Sequence, residues 1–289
     1  MKAKPGSQPD LALWHRLADV LSCPLCGASL RPAASTLRCP AGHCFDIARQ
    51  GYVSLLAGRS PRTADTAGMV AARAAFLAAG HYAPLAAELA ALAAGLCPAD
   101  GILAEAGAGT GYYLASALAG LPGAAGLALD SSGYALRRAA RAHPRLAAAA
   151  CDIWQALPVR TGSADLLLNI FAPRNGAEFR RVLRPDGALV VVTPAAGHLA
   201  ELRDLPGMLA MDPVKRQRTS RALSAYFSAQ PPAELGYQME LSGLDVASLL
   251  AMGPSAHHGG GSTELTGSQR VSAAFELTVY RPRGSASGK

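Results

Sequence analysis

Lysine is almost missing from this sequence: of 289 residues, only Lys2, Lys4, Lys215 and Lys289 are lysines. Charge of either sign is sparse, 16% of residues against 50% hydrophobic, which excludes wholesale disorder and leaves material for a sizeable core. No run of about 18 apolar residues is free of charge, glycine or proline, so no membrane span is predicted. The richest stretch, Tyr82 to Leu96, is dominated by alanine and carries Glu88. Residues 1–10 hold two lysines and two prolines and lack the apolar centre of a signal peptide. A soluble cytoplasmic protein without a membrane partner is expected. Internal repeats are also absent.

The six cysteines are not spread as a disulfide scaffold would spread them. Cys23, Cys26, Cys39 and Cys44 cluster, while Cys97 and Cys151 stand alone. Clustered thiols in a large chain point to a metal. Cys23-Pro-Leu-Cys26 is followed, twelve residues on, by Cys39-Pro-Ala-Gly-His43. Two thiolates on a tight turn can grip one face of a tetrahedral zinc ion, and a second pair returned by a hairpin completes it. His43 gives the tidier knuckle for the fourth ligand, and the adjacent Cys44 can serve as well. Four protein ligands leave no open position, so the site reads as structural. A module of about 35 residues buries too little apolar surface to fold unaided, and metal would supply the missing stability.

From Gly101 the chain alternates short apolar runs with helical segments. Strands are predicted at Ile102–Glu105, Gly126–Asp130, Ala147–Cys151, Asp165–Phe171 and Ala188–Thr193, with helices between them, which implies a parallel sheet covered on both faces. A helix is expected from Asp65 to Ala79 and another from Pro84 to Ala94. Late strands fall near Leu235–Leu241 and Ala273–Tyr280 around a helix at Val246–Met252. Helical spacing also marks Leu11–Leu21 and Pro213–Phe227, and Gly259–Ser262 reads as a loop. The domains divide as a tail and helix (1–20), a zinc-binding domain suited to RNA recognition (21–56), linker helices (57–100) and a catalytic domain (101–289).

Glu105-Ala-Gly107-Ala-Gly109-Thr110-Gly111 follows the first of these strands and opens a helix. Glycines at that turn let the backbone approach a ligand. The spacing is G-x-G-x-G rather than the G-x-G-x-x-G of a pyrophosphate-binding turn, and S-adenosylmethionine fits it. Asp130 ends the second strand, where a carboxylate can accept the ribose hydroxyls. Asp152 follows the third, where an acidic side chain meets an adenine amino group. Asn169 to Arg174 ends the fourth strand, on the side expected to meet the methyl acceptor. The predicted fold is a class I methyltransferase Rossmann-like sheet with a small N-terminal zinc ribbon.

The order of these motifs resembles the bacterial 23S rRNA (guanine-N1)-methyltransferase family of the RlmA type. Phe45 to Leu56 is similar to the family segment after the zinc knuckle. Met69–Arg73 and Phe76 through Leu85 resemble its linker helices, and Pro194 to Leu202 its segment after strand five. Asn169–Asn175 and Met252-Gly-Pro-Ser255 look most like the actinobacterial branch that confers resistance to tylosin-type macrolides. The resemblance implies zinc at Cys23, Cys26, Cys39 and His43 and cofactor contacts from Tyr82, Gly109, Thr110 and His198. It also implies a homodimer and methylation of guanine N1 in a 23S rRNA hairpin loop. The sequence departs from the family pattern at His257-His258, which run into a glycine tract.

Guanine N1 carries a proton at neutral pH, so proton removal must accompany methyl transfer, and the base must be turned out of its stack. Asn169 and the backbone through Pro173 are expected to orient it. The net charge of +7 suits a polyanion, although codon bias in a GC-rich genome yields the same arginine and alanine excess. Candidate RNA contacts are Arg31, Arg38 and Arg49 in the zinc module and Arg59, Arg62 and Arg73 in the linker. The run Lys215-Arg216-Gln217-Arg218 with Arg221 is a further candidate RNA contact, although as a helical run it reads rather more readily as a solvated helix face. The alternatives are a small-molecule methyltransferase with a structural zinc module, or a non-catalytic RNA-binding protein.

Overall fold

A computed structural model describes residues 11–58, 64–203, 205, 222–253 and 267–284. Helix α1 (Leu11–Arg16) leads into a three-stranded antiparallel sheet of β1 (Arg31–Ala33), β2 (Thr36–Arg38) and β3 (Cys44–Asp46). The helical spacing expected to run to Leu21 ends at Arg16, because Leu21 and Ser22 are drawn into backbone pairing with Val159 and Pro158. Helices α2 (Ala67–Ala78) and α3 (Ala83–Leu96) follow. Thr66 caps α2 by accepting the Met69 amide hydrogen, and Gly80 at φ 84° turns the chain into α3. The two helices meet at 83°, and no single helix among the described residues is long and apolar enough to cross a membrane.

The main sheet contains β4 (Tyr52–Ser54), β5 (Ile102–Ala106), β6 (Ala125–Asp130), β7 (Leu146–Ala150), β8 (Ala164–Ile170), β9 (Leu183–Pro194), β10 (Phe227–Ala229), β11 (Ala233–Ser242) and β12 (Ser268–Pro282). Its order is β4-β7-β6-β5-β8-β9-β12, with β10 and β11 both pairing the far side of β12. Strands β4 through β9 are parallel to their neighbours, and β12 is antiparallel to β9. Helices α4 (Tyr112–Ala119), α5 (Gly133–Ala139), α6 (Gly176–Val182) and α7 (Gly243–Ala251) complete the fold. Every residue of β5, β7 and β8 is buried, which is why these strands read as unbroken apolar runs.

Two cores lie on opposite sheet faces. Phe76, Leu85, Leu114, Leu136 and Phe275 belong to one. The other joins Trp14, Leu17, Leu30 and Leu37 of the N-terminal module to Leu127, Val159 and Phe179 of the sheet domain. The module is therefore packed into the larger core. Strand β4 extends the main sheet by pairing with β7, Val53 opposite Ala149. Strand β9 begins at Leu183 with an irregular register up to Ala188, and Phe227 opens β10 rather than ending a helix. The rest of the helix expected from Pro213, and the glycine tract at 259–262, lie outside the described residues.

Candidate active site and metal centre

Cys23, Cys26, Cys39 and His43 bring their ligand atoms within 4.8 Å of one another. Cys26 Sγ lies 3.7 Å from Cys39 Sγ, and His43 Nδ1 lies 3.5 Å from Cys23 Sγ and 3.4 Å from Cys39 Sγ. Zinc bonds of about 2.3 Å to sulfur and about 2.0 Å to nitrogen at tetrahedral angles demand separations of about 3.8 Å between sulfurs and about 3.5 Å between sulfur and nitrogen, so the set fits zinc. Backbone amides of Leu25 and Cys26 point at the Cys23 sulfur, and those of Ala41 and His43 at Cys39. Such amides stabilise coordinated thiolates. Cys44 is exposed and outside the cluster. It is the first residue of β3 and pairs with Arg38 of β2, while His43 in the preceding turn supplies the fourth ligand atom.

A cleft of about 250 Å³ opens where β5 is flanked by β6 on one side and β8 on the other. At this point the chain order reverses, and open α/β sheets bind ligands there. Gly107, Gly109 and Gly111 all have positive φ, 79°, 52° and 75°. Gly107 and Gly109 line the cleft with Thr110, whereas Gly111 is the N-cap of α4 behind it. A Cβ on Gly107 would lie 2.3 Å from Ala172 Cβ, so this turn and the end of β8 approach as closely as a bare backbone permits. Glu105, almost wholly buried, also lines the cleft, and one carboxylate oxygen accepts the Leu114 amide hydrogen at 3.2 Å. Burial pushes its carboxyl well above the usual range.

Asp130 and Asp152 line the same cleft. The Asp130 oxygens accept the amide hydrogens of Gly109 and Ser132, both at 2.8 Å, and one Asp152 oxygen accepts that of Trp154 at 3.0 Å. A carboxylate oxygen has two lone pairs, so each Asp130 oxygen keeps one for a ligand hydroxyl. Pro173 faces the cleft beside Phe171, a non-glycine residue at φ 53° that is 42% exposed. Asn169 does not face it. Fully buried, Asn169 donates from Nδ2 to the carbonyls of Ala106 and Pro173, at 3.1 and 2.9 Å, and ties the β8 loop to β5.

Tyr82 lines the cleft, and its hydroxyl lies 3.4 Å from His198 Nε2. His198 stands behind it, packed on the Phe275 ring at 4.8 Å. Its Nδ1 accepts the Ala274 amide hydrogen at 3.1 Å, so in the neutral ring Nε2 carries the proton and faces the tyrosine. Burial lowers the His198 pKa from 6.5 to about 4. A folded-state pKa below the unfolded one favours the folded state fully above pH 6.5 and less as pH falls toward 4. Between pH 7 and 5 this should remove about 2 kcal/mol. Urea unfolding at the two pH values should show the loss in the parent and a smaller one in His198→Asn.

Several cleft residues were not recognisable in the sequence. Arg73, expected to reach RNA, instead forms an ion pair with Asp65 in the cleft wall and donates to the Met252 carbonyl at 2.9 Å. Nothing local signals a bond to a residue 179 positions away. Tyr112, Tyr113 and Trp154 also line the cleft. Tyr112 and Tyr113 directly follow the glycine turn and Trp154 lies two residues past Asp152, so proximity along the chain was the one signal that could have found them.

A parallel sheet in this order, with an antiparallel strand beside the last parallel one and a G-x-G-x-G cradle at the switch point, defines a class I S-adenosylmethionine-dependent methyltransferase. Residues 21–60 match the family model of the RlmA N-terminal zinc ribbon. A relative from Streptomyces fradiae, a 23S rRNA (guanine(748)-N(1))-methyltransferase, is 46% identical over 91% of this chain and 96% of its own length. One from Micromonospora griseorubida, provisionally named for guanine-N1 methylation of 23S rRNA, is 49% identical over 91% and 97%. A Bacillus subtilis protein of the same provisional name is 32% identical over 82% and 87%. The chain belongs to the 23S rRNA (guanine-N1)-methyltransferase family.

Proposed function

We propose that this enzyme transfers a methyl group from S-adenosylmethionine to N1 of a guanine in a 23S rRNA hairpin loop, the guanine equivalent to position 748. The observation that carries this reading is the 46% identity spanning nearly the whole Streptomyces fradiae enzyme. It is joined to a cleft whose glycine turn and paired carboxylates suit an adenosyl cofactor. When bound, the cofactor supplies an electrophilic methyl group on a sulfonium. Glu105, Gly107, Gly109 and Thr110 form its floor, with Gly111 holding the turn from behind. Asp130 holds the ribose hydroxyls and Asp152 the adenine amine. Tyr82 closes the cleft, oriented by His198.

Methyl transfer needs in-line placement more than acid–base power, so the acceptor side is chiefly a positioning device. Pro173 and Phe171 face the turned-out guanine. Asn169 acts through them by pinning the loop to β5. Primer extension along 23S rRNA treated with enzyme and cofactor should stop at one guanine. No stop, with transfer to a small metabolite instead, would overturn the reading.

We also propose that the chain works in the cytoplasm as a homodimer whose zinc modules, through Arg31, Arg38 and Arg49, border the RNA cleft. Light scattering should return twice the 29.6 kDa chain mass. Expression in a macrolide-sensitive host should raise resistance to tylosin-type drugs.

A further inference from the structure

Helix α5 follows directly from Asp130 and buries Ala135, Leu136 and Ala139. Its other face carries Tyr134, Arg137 and Arg138, continued by Arg141 just beyond its end, all exposed. Positions i, i+3 and i+4 share one side of a helix, so Tyr134, Arg137 and Arg138 form a stripe, with Arg141 exposed in the turn that follows. Tyr134 is 50% exposed, and the Arg137 guanidinium sits over its ring at 5.3 Å. No acid accompanies them on the helix.

The arginines of a comparable helix are tied down. On α6, of equal length, Arg181 pairs with Glu178 and donates to the Val159 and Leu157 carbonyls, while Arg180 donates to that of Arg283. Among the described residues, Arg137, Arg138 and Arg141 have no carboxylate or carbonyl partner. The zinc module adds to the same face. A Cβ on Gly51 would lie 3.4 Å from Ala140 Cβ, so the turn carrying exposed Arg49 backs onto the end of α5. At its other end the stripe begins four residues past Asp130, which lines the cleft together with Ser131 and with Trp154, 63% exposed after the neighbouring strand.

Guanidiniums without an acidic partner among the described residues, set beside an exposed aromatic ring, are suited to a nucleic-acid strand, phosphates meeting the charges and a base the ring. We propose that the α5 stripe of Tyr134, Arg137 and Arg138, extended by Arg141 and Arg49, binds the RNA backbone flanking the target guanine and leads it to the cleft. This rests on the rRNA reading above.

The test compares the parent with Arg137→Gln/Arg138→Gln/Arg141→Gln, using a 23S rRNA fragment that carries the target hairpin. The triple variant should raise the KM for RNA by about tenfold or more near physiological salt. The slope of log(kcat/KM) against log salt should shrink by about two, at roughly 0.7 for each single-strand phosphate that is no longer neutralised. The kcat at saturating RNA and the calorimetric affinity for S-adenosylmethionine should not change, and the triple Arg→Lys variant should restore the salt slope. Equal KM and slope in parent and glutamine variant would overturn the proposal and leave the rRNA reading standing. Weakened cofactor binding in the variant would also overturn it, by moving the effect into the cleft. Normal methylation of the naked fragment with failure on the intact large subunit would assign the stripe to a ribosomal protein instead. A parent that methylates no rRNA would remove both readings together.

Discussion

Gly107→Ala should abolish measurable binding of S-adenosylmethionine, lowering affinity by a hundredfold or more, while leaving the protein folded. Two effects combine at this position. The backbone sits at φ 79°, which costs an L-residue about 1–2 kcal/mol. The new methyl would also lie 2.3 Å from Ala172 Cβ, far inside van der Waals contact. Relief requires the turn to lift into the cleft or the loop after β8 to withdraw, and either moves Ala108 and Gly109 or Pro173. Isothermal calorimetry measures the loss of binding, and a thermal melt checks the fold. The double variant Gly107→Ala/Ala172→Gly separates the causes, because it removes the clash and keeps the unfavourable φ. It should recover most of the affinity. No recovery would mean that the close approach of turn and loop is not what shapes the site.

Stripping zinc should destabilise the whole enzyme rather than only its first 58 residues. The apparent free energy of a structural zinc site, about 10–16 kcal/mol, rivals the entire stability of an ordinary domain. Cys23 and Cys39 belong to the same continuous core as Val159, Phe179 and Leu189. Loss of the metal therefore loosens one whole face of the main sheet and frees β4 from β7. A loss of about 5 kcal/mol would lower the melting temperature of a domain this size by about 10–20 °C. Calorimetry with and without a chelator should show one transition moving downward. An unchanged transition belonging to the catalytic domain would refute the coupling. Cys39→Ser and His43→Ala should behave like the chelated protein and hold less zinc by elemental analysis. Cys44→Ser should match the parent in both measurements, since its thiol lies outside the cluster.

The parallel strands were legible because a sheet buried on both faces needs apolar residues at every position, and such runs stand out locally. Predicted and observed bounds of β5 through β8 differ by one residue. Strand β4 was not legible. Three residues are too few for an alternation to show, and the strand exists only because β7, about 95 residues on, offers an edge. The acceptor side was half legible. Asn169 to Pro173 was placed correctly at the end of β8, but which side chains face the cleft depends on the φ of 53° at Phe171. That single torsion turns an aromatic ring outward while Asn169 stays buried.

By itself the sequence determined the zinc knuckles, the glycine turn and the two acids at successive strand ends. Each is a local device: a chelating knuckle needs two ligand side chains three or four positions apart, and a left-handed turn favours a residue without a side chain. Tertiary structure alone decided that His43 and not Cys44 completes the metal site, that Arg73 folds into the cleft wall, and that His198 is held neutral behind Tyr82. Those outcomes depend on which polar groups burial brings together from distant parts of the chain. A buried donor or acceptor takes whatever partner packing supplies, and spacing along the sequence carries no record of that choice.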